Sequence, residues 1–411
     1  MTSQPTGCPY RLDPSGSNIQ QEAAELRALG PAARVLLPGE IPAWSVTDPG
    51  LIRRLLASPD VSKDASRHWP AYINDEIPKD WPWRIWVDVR NALSAYGDEH
   101  SRLRRPLAGA FTARRVRALA PQIEQITNTL LDDVEAAGAT KVVDIRAHLA
   151  WRLPLLVVNA LLGVPETMHD DFRDAVGSLF STDLTPQEAQ ATQEKVYALI
   201  QALIQHKRDN PGDDVTSSLV QAHTAGQVDE KELADSFVLL IGAGHETTVN
   251  LLDWAITNLL AHPEQLAMAT SGQVPWEQVV DEALRHQAPI ASILMRFPTR
   301  DITDHETGLV FAAGDALIIN YAAAGRAPQH HGERADAFDI TRTTAREHLA
   351  FGHGAHYCLG AELARLEGRI ALAALFARFP SIQLAVEPDQ LRPLPSLVSN
   401  GHTHLPVRLT A

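Results

Sequence analysis

The segment from Phe351 to Gly360 concentrates the side chains of this chain that are best suited to chemistry. Its ten residues include three glycines, two histidines and a single cysteine, Cys358. Because glycine lacks a Cβ and tolerates positive φ, we expect Gly352, Gly354 and Gly360 to let backbone N–H groups point at the sulfur. Apolar residues with helical spacing then predict a helix: Leu359, Leu363, Leu366 and Ile370. A thiol at a helix N-terminus has a lowered pKa, so Cys358 is the candidate centre of the chemistry.

The order of residues in this segment, Phe-Gly-x-Gly-x-His-x-Cys-x-Gly, resembles the haem-ligand loop of the cytochrome P450 superfamily. The resemblance implies that Cys358 is the axial thiolate ligand of a haem iron and that His356 contacts a haem propionate. It also places Phe351 and Gly360 in the haem-binding loop. Such thiolate ligation favours O–O cleavage. The alternative interpretation, a buried structural cysteine beside a glycine turn, does not explain the agreement at six fixed positions.

A second candidate group lies in a predicted helical stretch near residue 100. His100 and Arg104 are four residues apart and therefore share one helix face. By themselves such residues most often face solvent, but the resemblance implies that this pair grips the haem propionates. Arg296 is similar in placement to a further propionate ligand. Two neighbouring arginines, Arg102 and Arg105, are expected to face outward and to offer a docking surface to an acidic electron-transfer partner.

A long helix is predicted between Asp229 and Pro263. Asp229 and Glu232 have the spacing of a capping box, and apolar residues continue for roughly 30 residues, which corresponds to about 45 Å of helix. Inside this helix, residues 243–248 read Ala-Gly-His-Glu-Thr-Thr. Glycine and paired threonines lower helix propensity, so the run predicts a local kink or an opened hydrogen bond.

The same run resembles the oxygen-binding groove of the P450 superfamily. The resemblance implies that Ala243 and Gly244 border the haem. It also implies that Glu246 supplies protons through water while Thr247 holds that water in place. His245 lies about 200° around the helix from Thr247, so it is predicted to point away from the haem and to be structural.

Further residues are predicted to support the site or to contact substrate. Glu282 and Arg285, with Arg342, match the superfamily's buried structural network and are expected to hold up the cysteine loop. A departure is Gly325-Arg326-Ala327-Pro328, where the superfamily frequently has Asn-Arg-Asp-Pro; it leaves the local loop geometry open. A helix-to-helix connection at 180–184 is expected to move as a lid. The residues expected to line the substrate pocket are Trp83, Leu240, Ala243, Thr247, Ile290, Ile293, Leu294, Leu397 and Val398.

Composition narrows the class of protein. The chain has 411 residues, 45% of them apolar and 21% charged, which is typical of a soluble globular protein. Its net charge of −14 argues against general nucleic-acid binding. The polar first ten residues predict neither a signal peptide nor a membrane anchor, and the two cysteines do not suggest a disulfide framework, so we expect a cytoplasmic monomer.

The resemblance implies a mainly α fold with small β-sheets, the cytochrome P450 fold. We expect one triangular-prism-like domain over residues 1–411, β-richer to about residue 65, with the long helix over the haem. The implied function is a monooxygenase that uses haem b, O2 and electrons from NAD(P)H through a ferredoxin and its reductase. The motifs Leu12–Gly16 and Val61–Asp64 are similar to those of members that act on macrolides, steroids and other bulky apolar compounds. Two alternatives stay open: oxidative coupling of aromatic rings, and a non-catalytic haem-thiolate gas sensor or carrier.

Overall fold

The computed structural model describes residues 8–81, 83–138, 142–179 and 186–409 and consists mainly of helices. The first helices are α1 (Ile19–Ala28), α2 (Pro49–Ala57), α3 (Ala65–His68), α4 (Pro70–Ile73), α5 (Ile85–Asp88), α6 (Gly97–Ala108), α7 (Ala113–Ala118), α8 (Ala120–Gly138) and α9 (Arg152–Leu162). They are followed by α10 (His169–Leu179), α11 (Pro186–Asp209), α12 (Val215–Thr224), α13 (Glu230–Ala261), α14 (Pro263–Thr270), α15 (Trp276–His286), α16 (Tyr321–Gly325), α17 (Pro328–His331) and α18 (Ala361–Arg378). The connection predicted at 180–184 lies outside the described residues.

The strands form small sheets. They are β1 (Tyr10–Arg11), β2 (Ala32–Leu37), β3 (Ile41–Val46), β4 (Val61–Ser62), β5 (Val143–Asp144), β6 (Ser292–Pro298), β7 (Ile302–Thr303), β8 (Val310–Phe311), β9 (Leu317–Asn320), β10 (Gln383–Leu384) and β11 (Pro406–Arg408). The largest described sheet has the order β1-β2-β3-β9-β6-β4, and the smaller ones are β10-β11-β5 and β7-β8. The prediction of a mainly α fold with small sheets is confirmed.

The N-terminal strands β2 and β3 match two short apolar runs of the sequence, 33–37 and 43–46, which a Pro-Gly turn separates. Strands β2 and β3 pair antiparallel from Ala32 opposite Val46 to Leu37 opposite Ile41, across a turn at residues 38–40. The later strands β9 and β6 complete the same sheet, with β3 parallel to β9 and β9 antiparallel to β6. The sheet is therefore not confined to the first 65 residues, because long-range pairing inserts β9 and β6 between β3 and β4.

Helix α13 runs for 32 residues and has the predicted capping box at its start. The Asp229 side chain accepts a hydrogen bond from the Glu232 N–H, and the Glu232 side chain accepts one from the Asp229 N–H. One part of the helix packs with Phe237 in one apolar cluster, and a later part packs with Leu252 and Ile256 in another. The helix thus joins two cores. Across the described residues, no helix has both the length and the apolar character needed to cross a bilayer.

Helix α18 begins directly after the cysteine loop. Its N-cap is Gly360, and the predicted apolar face is buried at Leu363, Leu366 and Ile370. Helices α8, α13 and α15 pack against it. The loop before α18 is therefore attached to a helix that is fixed in the largest described apolar core.

A buried network ties α15 to the segment that precedes the cysteine loop. Both side chains of the Glu282–Arg285 pair are fully buried, and two hydrogen bonds of 2.7 Å join them. Arg285 also donates to the carbonyls of Gly325, Ala335 and Ala337, at 2.7 to 2.9 Å. Arg342 lies 3.5 Å from Glu282. Since each charge is paired and hydrogen-bonded, the cost of burying it is offset.

The same network explains why residue 325 is glycine where the superfamily often has asparagine. A Cβ at Gly325 would lie 2.2 Å from the carbonyl oxygen of Arg285, which is backbone and cannot rotate away. The next residue, Arg326, donates to the His286 carbonyl at 3.0 Å. The departure from the superfamily pattern therefore accommodates a close approach between α16 and the end of α15.

We expect Gly325→Ala to destabilise the protein by about 1–3 kcal/mol, the usual cost of overpacking a well-packed site. The measurement is the free energy of unfolding in urea. Gly109→Ala is the matched control, because its added Cβ would meet only the Pro106 carbonyl at 3.9 Å. Equal stabilities of the two variants would contradict this explanation.

Candidate active site

The cysteine loop is shaped by two glycines with positive φ. Gly352 has φ +73° and Gly354 has φ +69°, and a Cβ at Gly354 would lie 2.3 Å from the Leu56 carbonyl oxygen. The N–H of Cys358 donates to the Phe351 carbonyl at 2.9 Å, which closes the loop. Gly360 has a φ of −85°, an angle that any residue adopts, but its N–H is hydrogen-bonded to the Cys358 sulfur, as expected for this loop.

Burial raises the pKa of the Cys358 thiol above its ordinary value. The Gly360 N–H, then Arg104 and Arg365, act in the opposite direction but do not outweigh the loss of solvation. The expectation that a helix N-terminus alone would lower this pKa was therefore wrong. Since a coordinating metal deprotonates a thiol outright, a metal ion is what would make Cys358 a thiolate.

Basic groups converge beside the cysteine loop. The Arg104 Nη2 atom donates to the Tyr357 carbonyl at 2.5 Å, next to Cys358. The rings of His100 and His356 lie 4.1 Å apart, and the pKa values of both are lowered, first by burial and then by nearby cations. Arg296 is buried, its pKa falls to about 10 through burial, and its hydrogen bond is to the adjacent Met295 carbonyl at 3.3 Å.

This basic cluster fits the propionate edge of a haem. Among the described residues, no carboxylate forms an ion pair with Arg104 or Arg296, and the buried His100 Nε2 atom has no hydrogen-bond partner. Buried cations without acids are unfavourable unless an anion complements them. A haem carries two carboxylates, so the donors in this part of the structure match that group, with Cys358 close by to supply the sulfur ligand.

Helix α13 presents a small accessible face in an otherwise mostly buried stretch. Ala243 is exposed and Thr247, one turn later, is partly exposed. The Thr247 hydroxyl donates to the Ala243 carbonyl at 2.7 Å. The helix is continuous through this run, and the predicted local kink or opened hydrogen bond stays a prediction. Gly244 has a packing reason to be glycine, because a Cβ there would lie 3.0 Å from the side chain of Val158.

His245 lies on the opposite side of α13 from that face. Its side chain is fully buried, its ring packs edge-on against Trp151 at 4.9 Å, and Nε2 is 2.9 Å from the Trp151 carbonyl oxygen. The prediction that His245 points away from the Thr247 face as a structural residue agrees with these contacts. The residues of this run that are left to take part in chemistry are therefore the acid Glu246 and the alcohol Thr247.

Glu246 is held by polar groups on its own helix and on a neighbouring turn. Its Oε1 atom accepts a hydrogen bond from Asn250 at 3.2 Å and lies 3.9 Å from the Arg146 guanidinium. Burial raises the pKa of Glu246, Arg146 and Asn250 oppose that rise, and Asp253 adds to it. The carboxyl is therefore able to keep its proton at a higher pH than an exposed glutamate.

Arg146 was not predicted as a site residue. It opens a π-helical turn, Arg146–Ala150, and its side chain is buried. It donates to the Asn250 side chain at 3.0 Å and lies 3.7 Å from Asp253, which in turn binds the ring of His402 at 2.9 Å. These partners are about 100 residues or more away in the sequence, so no local pattern marks the contact.

A second support of the loop was also missed. Arg365 on α18 donates to Asp281 at 2.8 Å, and its guanidinium lies 4.7 Å from the Phe351 ring. His348 lies 3.5 Å from the same aspartate. The helical spacing of Glu282 and Arg285 indicates one buried ion pair. Asp281, the residue just before that motif, forms a separate ion pair with Arg365.

The predicted substrate-contacting residues do not all lie together. Leu294, Leu397 and Val398 share one apolar cluster, with Trp83 and Ile290 packed against it. Ile293 packs against another cluster and Leu240 belongs to a third. Leu294 has no exposed surface, while Ile290 and Ile293 keep part of theirs. Residues 395–401 have a sequence typical of a hairpin turn, Pro-Ser-Leu-Val-Ser-Asn-Gly, and a 2.8 Å hydrogen bond from the Leu394 N–H to the Gly401 carbonyl closes it.

A basic cluster on α6 and α7 is only partly free for docking; its members are Arg102, Arg104, Arg105, Arg114, Arg115 and Arg117. Arg102 donates to both Glu232 oxygens, at 2.8 and 2.5 Å, and so is engaged at the start of α13. Arg102 is exposed, as expected, but its charge is already paired with Glu232, and its docking role stays a prediction. Arg105, Arg114 and Arg117 are exposed, and none of them has an ion pair in the described part of the chain.

Comparison with known proteins gives consistent matches. A family model for cytochrome P450 matches residues 151–271 and 276–401. The chain is 40% identical over 403 residues to 2-hydroxy-5-methyl-1-naphthoate 7-hydroxylase of Streptomyces carzinostaticus, with 98% of each protein covered. The structure of CYP154A1 from Streptomyces coelicolor A3(2) matches with a TM-score of 0.90 and 46% identity, over 97% of this chain and 100% of that one. Testosterone-bound CYP154C4 from Streptomyces sp. ATCC 11861 matches with 0.92 and 39%, over 98% and 99%.

We expect Arg146→Met to raise the pKa of Glu246 further, because the guanidinium lowers it. The measurement is the infrared band of the protonated carboxyl, identified by its loss in Glu246→Gln and followed with pH. Because the pKa of Glu246 is raised in the folded protein, protonation of Glu246 stabilises the folded state at low pH. This stabilisation is lost as the pH rises through the folded-state pKa. That loss should therefore move to higher pH in the variant.

Arg152→Met is the matched control for this titration, because Arg152 lies six residues further along and is paired with Asp133 near the surface. It should leave the Glu246 band unchanged. A band that titrates identically in wild type and in Arg146→Met would show that Arg146 does not act on Glu246.

Proposed function

This chain belongs to the cytochrome P450 family, and we propose that it hydroxylates a bulky apolar natural product of the polyketide, macrolide or steroid class. It is a P450 monooxygenase, and its family uses haem iron and O2. The observation that carries the proposal is the acid–alcohol pair on α13, Glu246 and Thr247, beside an exposed Ala243. A gas carrier has no use for a buried acid next to a placed hydroxyl.

The residues around Cys358 would hold the cofactor. Cys358 would supply the sulfur ligand, and the basic groups His100, Arg104, Arg296 and His356 would bind the propionates. When bound, the haem supplies an iron centre that activates O2 for transfer of one oxygen atom to substrate. The loop glycines and the Glu282–Arg285 network fix where that sulfur stands.

Glu246 and Thr247 have complementary parts in proton delivery. The Thr247 hydroxyl is oriented by its bond to the Ala243 carbonyl, so its lone pairs can receive a hydrogen bond from a water in the pocket. Glu246, with its raised pKa, can give a proton to such a water and regain it from solvent. Asn250 and Arg146 hold the carboxyl in place between these two events.

The proposed substrate class is supported by the ligands of two relatives and by a partly exposed apolar surface of this chain. The naphthoate hydroxylase acts on a fused aromatic carboxylic acid, and CYP154C4 binds testosterone. Both ligands are rigid, polycyclic and largely apolar. In this chain, Trp83 and Ile290 are partly exposed beside a cluster that includes Leu397 and Val398, a surface suited to such a ring system.

The electrons are proposed to come from NAD(P)H through a ferredoxin and its reductase. Arg105, Arg114 and Arg117 leave positive charge exposed on α6 and α7, and α6 also carries Arg104, which contacts the cysteine loop. An acidic ferredoxin would be attracted to such a surface. Arg102 and Arg115 contribute less, since each is paired with a carboxylate.

We expect wild-type protein, reduced under carbon monoxide, to show the strongly red-shifted Soret band of thiolate ligation. Cys358→Ser should lose that band because an alcohol is a far weaker electron donor than a thiolate. Cys8→Ser, at the exposed second cysteine, should keep it. A red-shifted band that persists in Cys358→Ser would overturn the assignment of the ligand.

We expect Thr247→Ala to lower the rate of product formation on the order of 100-fold, the lower end of what positioned proton transfer contributes. NAD(P)H consumption should continue, so reducing equivalents are lost to peroxide or water. Thr248→Ala is the matched control, since Thr248 is the next residue but is buried. Coupling that is unchanged in Thr247→Ala would remove this residue from the mechanism.

Product mass separates hydroxylation from ring coupling in the same assay. A gain of one oxygen atom supports hydroxylation. A loss of two hydrogens for each bond formed supports oxidative coupling instead and would overturn the proposed reaction. Candidate polycyclic substrates are chosen beforehand by the change of haem spin state that a fitting ligand produces.

A further inference from the structure

Lys63 is a buried cation that the proposed function leaves without a role. It follows strand β4 in the Val-Ser-Lys-Asp motif, and it is 3% exposed. Its ammonium has a single hydrogen-bond acceptor among the described residues, the Leu294 carbonyl at 2.5 Å. An ammonium has three donors, so two of them have no acceptor there. A lysine is rarely buried in this way unless an anion accompanies it.

Strand pairing sets Lys63 beside a propionate-binding arginine. Strands β4 and β6 pair antiparallel, with Val61 opposite Pro298 and Ser62 opposite Phe297. Continued by one residue, this register brings Lys63 opposite Arg296. Arg296 is itself buried and acts on Lys63 as a like charge. The sheet thus holds two cations together away from water.

No acid of the described chain compensates this pair. Among the described residues, neither Lys63 nor Arg296 forms an ion pair with a carboxylate. The adjacent Asp64 is turned to its own helix, where it caps α3 by accepting from the Arg67 N–H and the Ser66 hydroxyl. The nearest acid in sequence is therefore used elsewhere.

Lys63 also acts on the histidine of the cysteine loop. The charges that lower the pKa of His356 are, after burial, those of Arg296, His100, Lys63 and Arg104. The five basic groups therefore share one electrostatic environment, in which burial and the like charge of Arg296 lower the pKa of Lys63 well below its ordinary value. Two carboxylates at this point would replace mutual repulsion with attraction.

We propose that Lys63 is a fifth basic ligand of the haem propionates, bound to the carboxylate that it shares with Arg296. This inference rests on the proposed haem-thiolate function and adds to the set formed by His100, Arg104, Arg296 and His356. Lys63 contributes to haem retention through a charge-assisted hydrogen bond. Its positive charge also favours the reduced state of the iron, because reduction adds negative charge nearby.

The test uses purified holoprotein and measures haem transfer to an excess of a haem-scavenging apoprotein. Lys63→Met should lose haem about tenfold to a hundredfold faster, the range set by one hydrogen bond to a charged group. Its reduction midpoint potential should shift to more negative values. Lys63→Gln, which keeps a donor for the Leu294 carbonyl but has no charge, should show the same shift in potential.

Lys79→Met is the matched control, because the Lys79 side chain is 83% exposed. It should leave both haem loss and potential unchanged. If Lys63→Met only lowers the melting temperature, with haem loss and potential as in wild type, Lys63 merely supports the Leu294 carbonyl and the proposal fails. If it instead weakens only the binding of carboxylate-bearing substrates, Lys63 serves the substrate and the proposal also fails.

The result of the Lys63 test can be distinguished from the result of the test of the proposed haem-thiolate function. A wild-type protein without the red-shifted carbon monoxide band would refute the haem-thiolate assignment before Lys63 is tested. A Lys63→Met protein that keeps this band but loses haem faster would support both assignments, since the sulfur ligand is intact and only the propionate contact is changed.

Discussion

The fully buried ion pair between Glu282 and Arg285 is the interaction on which the placement of the site depends. Two opposite charges without solvent are stable only when every donor and acceptor finds a partner, and Arg285 meets this condition by donating to three backbone carbonyls between Gly325 and Ala337. The pair thereby fastens α15 to the irregular segment that leads into the cysteine loop. That segment has little regular structure of its own, so its position is set by charge burial more than by a strand or a helix.

Charge is segregated around the two sides of the site. The chain as a whole is acidic, with a net charge of −14, yet in the described residues Lys63, Arg104 and Arg296 form no ion pair with a carboxylate. On α13 the arrangement is reversed, and Glu246 and Asp253 share one buried arginine, Arg146. One region is thus prepared for an anionic group and the other for a carboxyl that exchanges a proton. The net charge of the chain cannot reveal this separation, because it adds the charges of the basic region and of the acidic region together.

The parts of the fold that could be predicted are those that follow from sequence patterns between nearby residues. The capping box at Asp229, the apolar face of α18 and the hairpin of β2 and β3 follow from spacing alone, because their partners lie within a few residues or repeat with a fixed period. Lys63 and Arg146 could not be found this way, since their roles come from residues 100 or more positions away. The pairing of Arg102 shows the same limit, because its partner Glu232 lies 130 residues further along the chain.

The hydrogen bond from Thr247 to the Ala243 carbonyl decides whether this hydroxyl can donate or only accept hydrogen bonds on the accessible face of α13. A hydroxyl has one hydrogen, and here the helix backbone has already claimed it. Toward the pocket, this threonine therefore behaves like an ether oxygen, able to attract hydrogens but unable to offer one. Any water that hydrogen-bonds to this oxygen must therefore act as the donor. The helix thus decides the direction of that hydrogen bond through one uncharged oxygen atom.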